Sequence, residues 1–119
     1  MSAIQYKLTI EQGATFDQVV TVKTPAGAYK DLTGYSARMK VKESPGDTVA
    51  LLSLTSPSSG GQGIDLGTTN GQIRIRIPAA VTAALSFYVA YYDLEIVAGT
   101  GEVTRVMQGQ CILSREVTS

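Results

Sequence analysis

Gln12-Gly13-Ala14-Thr15-Phe16-Asp17-Gln18-Val19-Val20-Thr21-Val22-Lys23, followed by Pro25-Ala26-Gly27-Ala28-Tyr29-Lys30-Asp31-Leu32-Thr33-Gly34-Tyr35-Ser36-Ala37-Arg38-Met39-Lys40-Val41, is the stretch that decides the fold. Phe16 to Lys23 reads as a strand of β-branched and aromatic residues. Ala37, Met39 and Val41 alternate with Arg38, Lys40 and Lys42, the period-2 pattern of a strand with one buried face. Between them, Pro25-Ala26-Gly27 is a turn signal, since proline presets φ and glycine accepts positive φ. Asp31-Leu32-Thr33-Gly34 then makes a corner. Two strands meeting across such a corner are the opening of a β-sandwich.

The same alternation continues in both directions. Ile4, Tyr6, Leu8 and Ile10 alternate with Gln5, Lys7, Thr9 and Glu11, which predicts one strand over Ile4–Glu11. After the turn Ser44-Pro45-Gly46-Asp47 comes a β-rich run, Val49-Ala50-Leu51-Leu52-Ser53-Leu54. Ser56 to Gly63, rich in Ser, Gly and Pro, has little to bury and is predicted to be a mobile surface loop. Ile64-Asp65-Leu66 is a short strand, and Thr69-Asn70-Gly71 a tight-turn signal. Ile73, Ile75 and Ile77, separated by Arg74 and Arg76, form the cleanest strand of all, ended by Pro78. Ala79 to Leu85 is the one helix-like patch and suits a crossover between sheets. Tyr88–Val97 and Glu102–Arg115 are joined by the turn Ala98-Gly99-Thr100-Gly101. Eight or nine short strands with so little helix predict an all-β, two-sheet immunoglobulin-like sandwich forming one domain over 1–119. A closed small barrel is the competing architecture.

Composition narrows the chemistry. At 119 residues the chain buries about two thirds of its unfolded surface, enough for one core without staples. Ten basic and ten acidic residues cancel, which gives no electrostatic reason to bind duplex nucleic acid or an anionic membrane. Met1-Ser2-Ala3-Ile4 lacks the basic start and apolar run of a signal peptide, and no stretch approaches the ~20 apolar residues of a membrane span. Synthesis in a cytoplasm is the expectation. Histidine is absent, so the commonest general base and metal ligand is missing. Cys111, the single cysteine, sits among apolar strand residues and reads as inert packing. With no nucleophile elbow, phosphate-cradling loop or metal-spaced cluster, the chain is expected to be non-enzymatic and to need no cofactor.

Four constellations stand out. Asp93 and Glu95 share a strand face, with Asp65 a possible neighbour. They offer either a hard-cation site or, as the favoured reading, a solvated face paired with Arg105. Arg38, Lys40 and Lys42 form one basic stripe, and Arg74 and Arg76 another. Without interleaved aromatics these are solvated faces, or charged contacts to a neighbouring subunit, rather than a nucleic-acid groove. Tyr88, Tyr91 and Tyr92 read as a central strand covered on both faces, with a tyrosine corner after the crossover and Tyr91 a minor candidate for a sugar platform. Finally, Ile4–Glu11 and Thr48–Leu54 carry few of the charges and prolines that guard sheet edges.

The opening stretch also resembles small virion proteins of tailed bacteriophages, encoded near tail, baseplate and fibre genes. In that family a Tyr-Asp-Leu-Glu strand and a closing Glu-Val-Thr follow, here Tyr92-Asp93-Leu94-Glu95 and Glu116-Val117-Thr118. The N-terminal Ig-like domain of upper baseplate proteins, which anchors receptor-binding proteins, is similar in architecture and opening pattern. This chain stops where that domain would continue into a helical stalk, so no receptor-binding or enzymatic tip is expected. The resemblance implies a structural subunit that docks on the tail, baseplate or fibre apparatus as an adaptor or stabilising component. Its partners would be other virion proteins, in a homo-oligomeric or symmetric array, with no nucleic acid or membrane bound. A capsid cement or decoration protein is the alternative within that biology, and a carbohydrate-binding module the alternative of another class. The expected interface gathers the unguarded edge (Leu51, Leu52, Leu54), the loop (Ser58, Gly60) and the second basic stripe (Arg74, Arg76).

Overall fold

The computed structural model describes residues 4–115, so Met1–Ala3 and the closing words Glu116-Val117-Thr118 lie outside the described residues. Nine strands and one helix follow one another: β1 (Ile4–Gln5), β2 (Leu8–Glu11), β3 (Phe16–Thr21), β4 (Ser36–Lys42), β5 (Leu52–Thr55), β6 (Gly63–Leu66), β7 (Gln72–Ile77), α1 (Ala79–Ala83), β8 (Val89–Val97) and β9 (Val103–Ser114). They form two sheets. The larger runs β1-β9-β8-β4-β5, with β2 also on β9, and the smaller runs β3-β7-β6. In strand order this is the immunoglobulin-like sandwich, G-F-C-C′ facing B-E-D, with the first strand lying parallel to the last.

The core sits between the sheets, where the alternation placed it. Ile73, Ile75 and Ile77 from β7 meet Leu94 and Ile96 from β8, all fully buried, together with Met39 and Val41 from β4. Each such side chain contributes about 1.5–3 kcal/mol when taken out of water. The Asp31–Gly34 corner forms as read. The Asp31 carboxylate accepts from Thr33 N (2.9 Å), Leu32 plugs into the core and Gly34 takes a positive φ. Helix α1 starts after Pro78 and crosses from the smaller sheet to the larger. Thr82 pins it: its buried hydroxyl donates to Ala14 O (2.8 Å) and accepts from Gly13 N (3.1 Å).

Four expectations need correction. The strand predicted over Ile4–Glu11 is broken at Tyr6-Lys7 into β1 and β2. The break is built, because the Tyr92 hydroxyl donates to Tyr6 O (2.6 Å) and Tyr6 N donates to Gln108 O (2.9 Å). Opposite lies Gly109 at φ +150°, where a Cβ would come within 2.6 Å of Tyr6 O. Tyr92 is thus a mid-strand anchor bonding a carbonyl 86 residues earlier in the chain, not a tyrosine corner; Tyr88 precedes β8 and is exposed, with Arg115 over its ring. Strand β8 is central in its sheet but covered on one face only, since Val89 and Tyr91 are exposed on the other. The Ser56–Gly63 segment is a tied connection between the two sheets rather than an unanchored loop. Ser59 and Gln62 bond each other's backbone, Ser58 N and Oγ both donate to Asp65, and buried Gly63 already belongs to β6.

Candidate functional site

Two surfaces can make contacts. The first is the free edge of the larger sheet at β5. Ser56 N donates to Ala37 O (3.0 Å), so the hydrogen-bonded positions of the β4–β5 ladder are Ser56, Leu54 and Leu52. The backbone groups of Ser53 and Thr55 therefore face away from β4. No Lys, Arg, Pro, Asp or Glu occurs from Thr48 to Ser56, so nothing in the strand deters pairing. Ahead of it, Val49 and Leu51 are exposed.

The residues expected to form one interface separate here. Leu52 and Leu54, taken as interface residues, are core: β5 alternates from Leu52 onward and both side chains are buried against Val41 and Met39 of β4. Only Leu51 of the three faces out. Ser58, half-buried, is spent on the Asp65 carboxylate, while Gly60 is open at the tip of the connection. Arg74 and Arg76 lie on the outer face of the smaller sheet, apart from the Arg38–Lys42 stripe on the larger one. The two basic stripes thus do not merge. Arg74 grips Asp17 with two bonds (2.7 and 3.0 Å), and Arg76 Nε stands 3.6 Å from the same carboxylate. The Arg74 bond and charge, with Arg76 adding to them, hold the Asp17 carboxyl below its usual range. Asp65 is likewise lowered by its Ser58 bonds, and it sits in the opposite sheet from Asp93 and Glu95. Among the described residues no group of three or more acidic, cysteine or histidine side chains is placed to hold a metal.

The second surface is the outer face of the larger sheet, where β9, β8 and β4 present a ladder of polar side chains around a depression of ≈ 720 Å³. Its order comes from a β-bulge. The β8–β9 register shifts between Leu94 and Glu95, so Val106 and Met107 are both buried and Arg105 and Gln108 both face out. Strict alternation would have put Met107 beside Arg105. Arg38 Nε donates to Glu95 (2.8 Å), Arg105 Nη1 donates to Gln108 (3.0 Å), and Arg105 Nε lies 3.8 Å from Asp93 and 4.0 Å from Glu95. The pairing of Asp93 and Glu95 with Arg105 is as read from the sequence; the Arg38 contact is additional. Lys42 faces Tyr91, and Lys40 faces Asp93, in the β4–β8 register.

Cys111 is buried and unpaired, and burial pushes its thiol up to about 12, so no thiolate is on offer near neutral pH. Burial also raises the Tyr92 phenol, with Cys111 and Tyr6 adding to it. Among the described residues no helix is long and apolar enough to cross a membrane. The chain matches no protein-family model, and no curated protein is significantly similar to it.

Proposed function

We propose that this protein is a non-enzymatic structural subunit of a tailed phage virion. It docks on the tail, baseplate or fibre apparatus through its sheet edge, as an adaptor or stabilising component within a symmetric array. The observation that carries the reading is the β5 edge, where the backbone of Ser53 is directed away from β4 on an end strand with no charged or proline guard. An edge of this kind accepts a further strand, and main-chain hydrogen bonds from a neighbouring subunit supply the affinity. The likeness of the Gln12–Val41 stretch and of Tyr92–Glu95 to small phage virion proteins supplies the biological setting.

Ser53→Lys and Ser53→Pro test it. The Ser53 side chain is exposed and its N–H is not spent on β4, so both variants should keep the fold to within about 0.5 kcal/mol in denaturant melts. Gradient-purified particles should contain the native chain at a fixed copy number and the variants at a clearly lower one. Separating tails from heads before the measurement distinguishes tail attachment from capsid decoration. Particles lacking the protein, or folded variants incorporated at native stoichiometry, refute the reading.

A further inference from the structure

We propose that the outer face of the larger sheet binds an acidic polysaccharide, a chain of pyranose rings carrying carboxylates. The depression there spans β9, β8 and β4, each already paired on both sides. A peptide would find no free backbone ladder to extend, so recognition falls to side chains alone. Those present are what a sugar ring requires. Tyr91 offers an exposed aromatic surface for the apolar face of a pyranose. Beside it stand flat, hydrogen-bonding groups that suit ring hydroxyls: Asp93, Gln108 and Arg105. They are organised in advance, because Arg105 holds Gln108 and lies against Asp93 and Glu95, which lowers the ordering cost of binding.

The demand for negative charge comes from two lysines. Arg38 and Arg105 are matched by Glu95 and Asp93, but among the described residues no carboxylate lies within 4.0 Å of the Lys40 or Lys42 ammonium. Both lysines line the same depression as Tyr91, and Lys42 faces it in register. The lining thus sets four cations (Arg38, Lys40, Lys42, Arg105) against two carboxylates (Asp93, Glu95), and this positive surplus beside an aromatic ring selects a sugar with a carboxylate over a neutral one.

Hexagalacturonate, cellohexaose and a hexaglutamate peptide are the probes, titrated into the labelled full chain by heteronuclear NMR and calorimetry. Hexagalacturonate should shift amides of β4, β8 and β9 around Lys40, Tyr91 and Gln108, with a Kd on the order of 0.1–1 mM that weakens as salt rises. Tyr91→Ala should weaken it about tenfold, and Lys40→Gln with Lys42→Gln should erase its advantage over cellohexaose. These side chains face solvent, and retained spectral dispersion confirms that each variant is folded. Absence of binding, shifts confined to another surface, or hexaglutamate binding equally well with Tyr91→Ala without effect would each overturn the proposal. The last outcome would mark the face as a charge-steered peptide surface instead. The proposal does not rest on edge docking: a chain that assembles into particles yet ignores hexagalacturonate overturns this inference alone.

Discussion

Tyr92 shows how much one side chain decides. Its ring lies in the core with Leu94 and Ile96, and its hydroxyl reaches Tyr6 O at 2.6 Å, the point where the first strand breaks. Deleting that hydroxyl removes the donor and leaves a partly buried carbonyl short of a partner, a loss costing about 1–2 kcal/mol. Tyr92→Phe should therefore lower the unfolding free energy read from urea melts by that amount while leaving the fold intact. A change below about 0.3 kcal/mol would mean that water satisfies the carbonyl in its place. Gly109 belongs to the same device, since its missing side chain makes the room that Tyr6 occupies.

At the scale of the element, β5 joins two properties that the run Leu51-Leu52-Ser53-Leu54 conceals. Its pattern looks uniformly apolar, yet from Leu52 onward it alternates, with buried leucines and exposed Ser53 and Thr55. Leu52→Ala should cost about 2–5 kcal/mol, as truncation of a core leucine does, whereas Leu51→Ala should stay within about 0.5 kcal/mol. Equal costs in denaturant melts would place Leu51 in the core and shift the register by one. The bulge in β9 acts similarly on the opposite side of the sheet. By burying Val106 and Met107 consecutively it brings Arg105 and Gln108 onto one surface, and without it the polar face around Tyr91 would be interrupted by a methionine.

Across the whole molecule, carboxylates decide the response to pH. Asp17 is held down by Arg74, Asp31 by the Thr33 bonds and Asp65 by the Ser58 bonds, so each is ionised more readily in the folded chain than in the unfolded one. Groups lowered on folding add stability above their unfolded pKa, near 3.9 for aspartate, and lose it as pH falls through the folded value. With no histidine in the chain, thermal midpoints should be flat between about pH 5 and 7 and fall below about pH 4. Asp65→Asn should make that acid fall shallower. An equally steep fall in the variant would show that the Ser58 contact contributes nothing to it.

The alternation Ile73/Ile75/Ile77, the Ala37/Met39/Val41 face and the Asp31–Gly34 corner were readable from residues alone, because strand period and turn chemistry are local properties. They were sufficient for a two-sheet sandwich with its core correctly placed, and the scarcity of guarding residues marked Ile4–Glu11 and Thr48–Leu54 as edge strands, while only the pairing put both in the larger sheet. Which side of β5 the leucines face, which tyrosine anchors the break in the first strand and which carboxylates Arg38 and Arg74 meet were not readable. The β5 leucines depend on pairing with β4, and the other contacts on partners at least 57 residues away, as Arg38 with Glu95, Arg74 with Asp17 and Tyr92 with Tyr6 show. The bulge at Leu94/Glu95 is a property of two strands in register and has no signature in either one, so the polar face it aligns arises only when β8 and β9 pair. Local sequence thus determined the elements and their buried sides, and long-range pairing decided the surfaces they present.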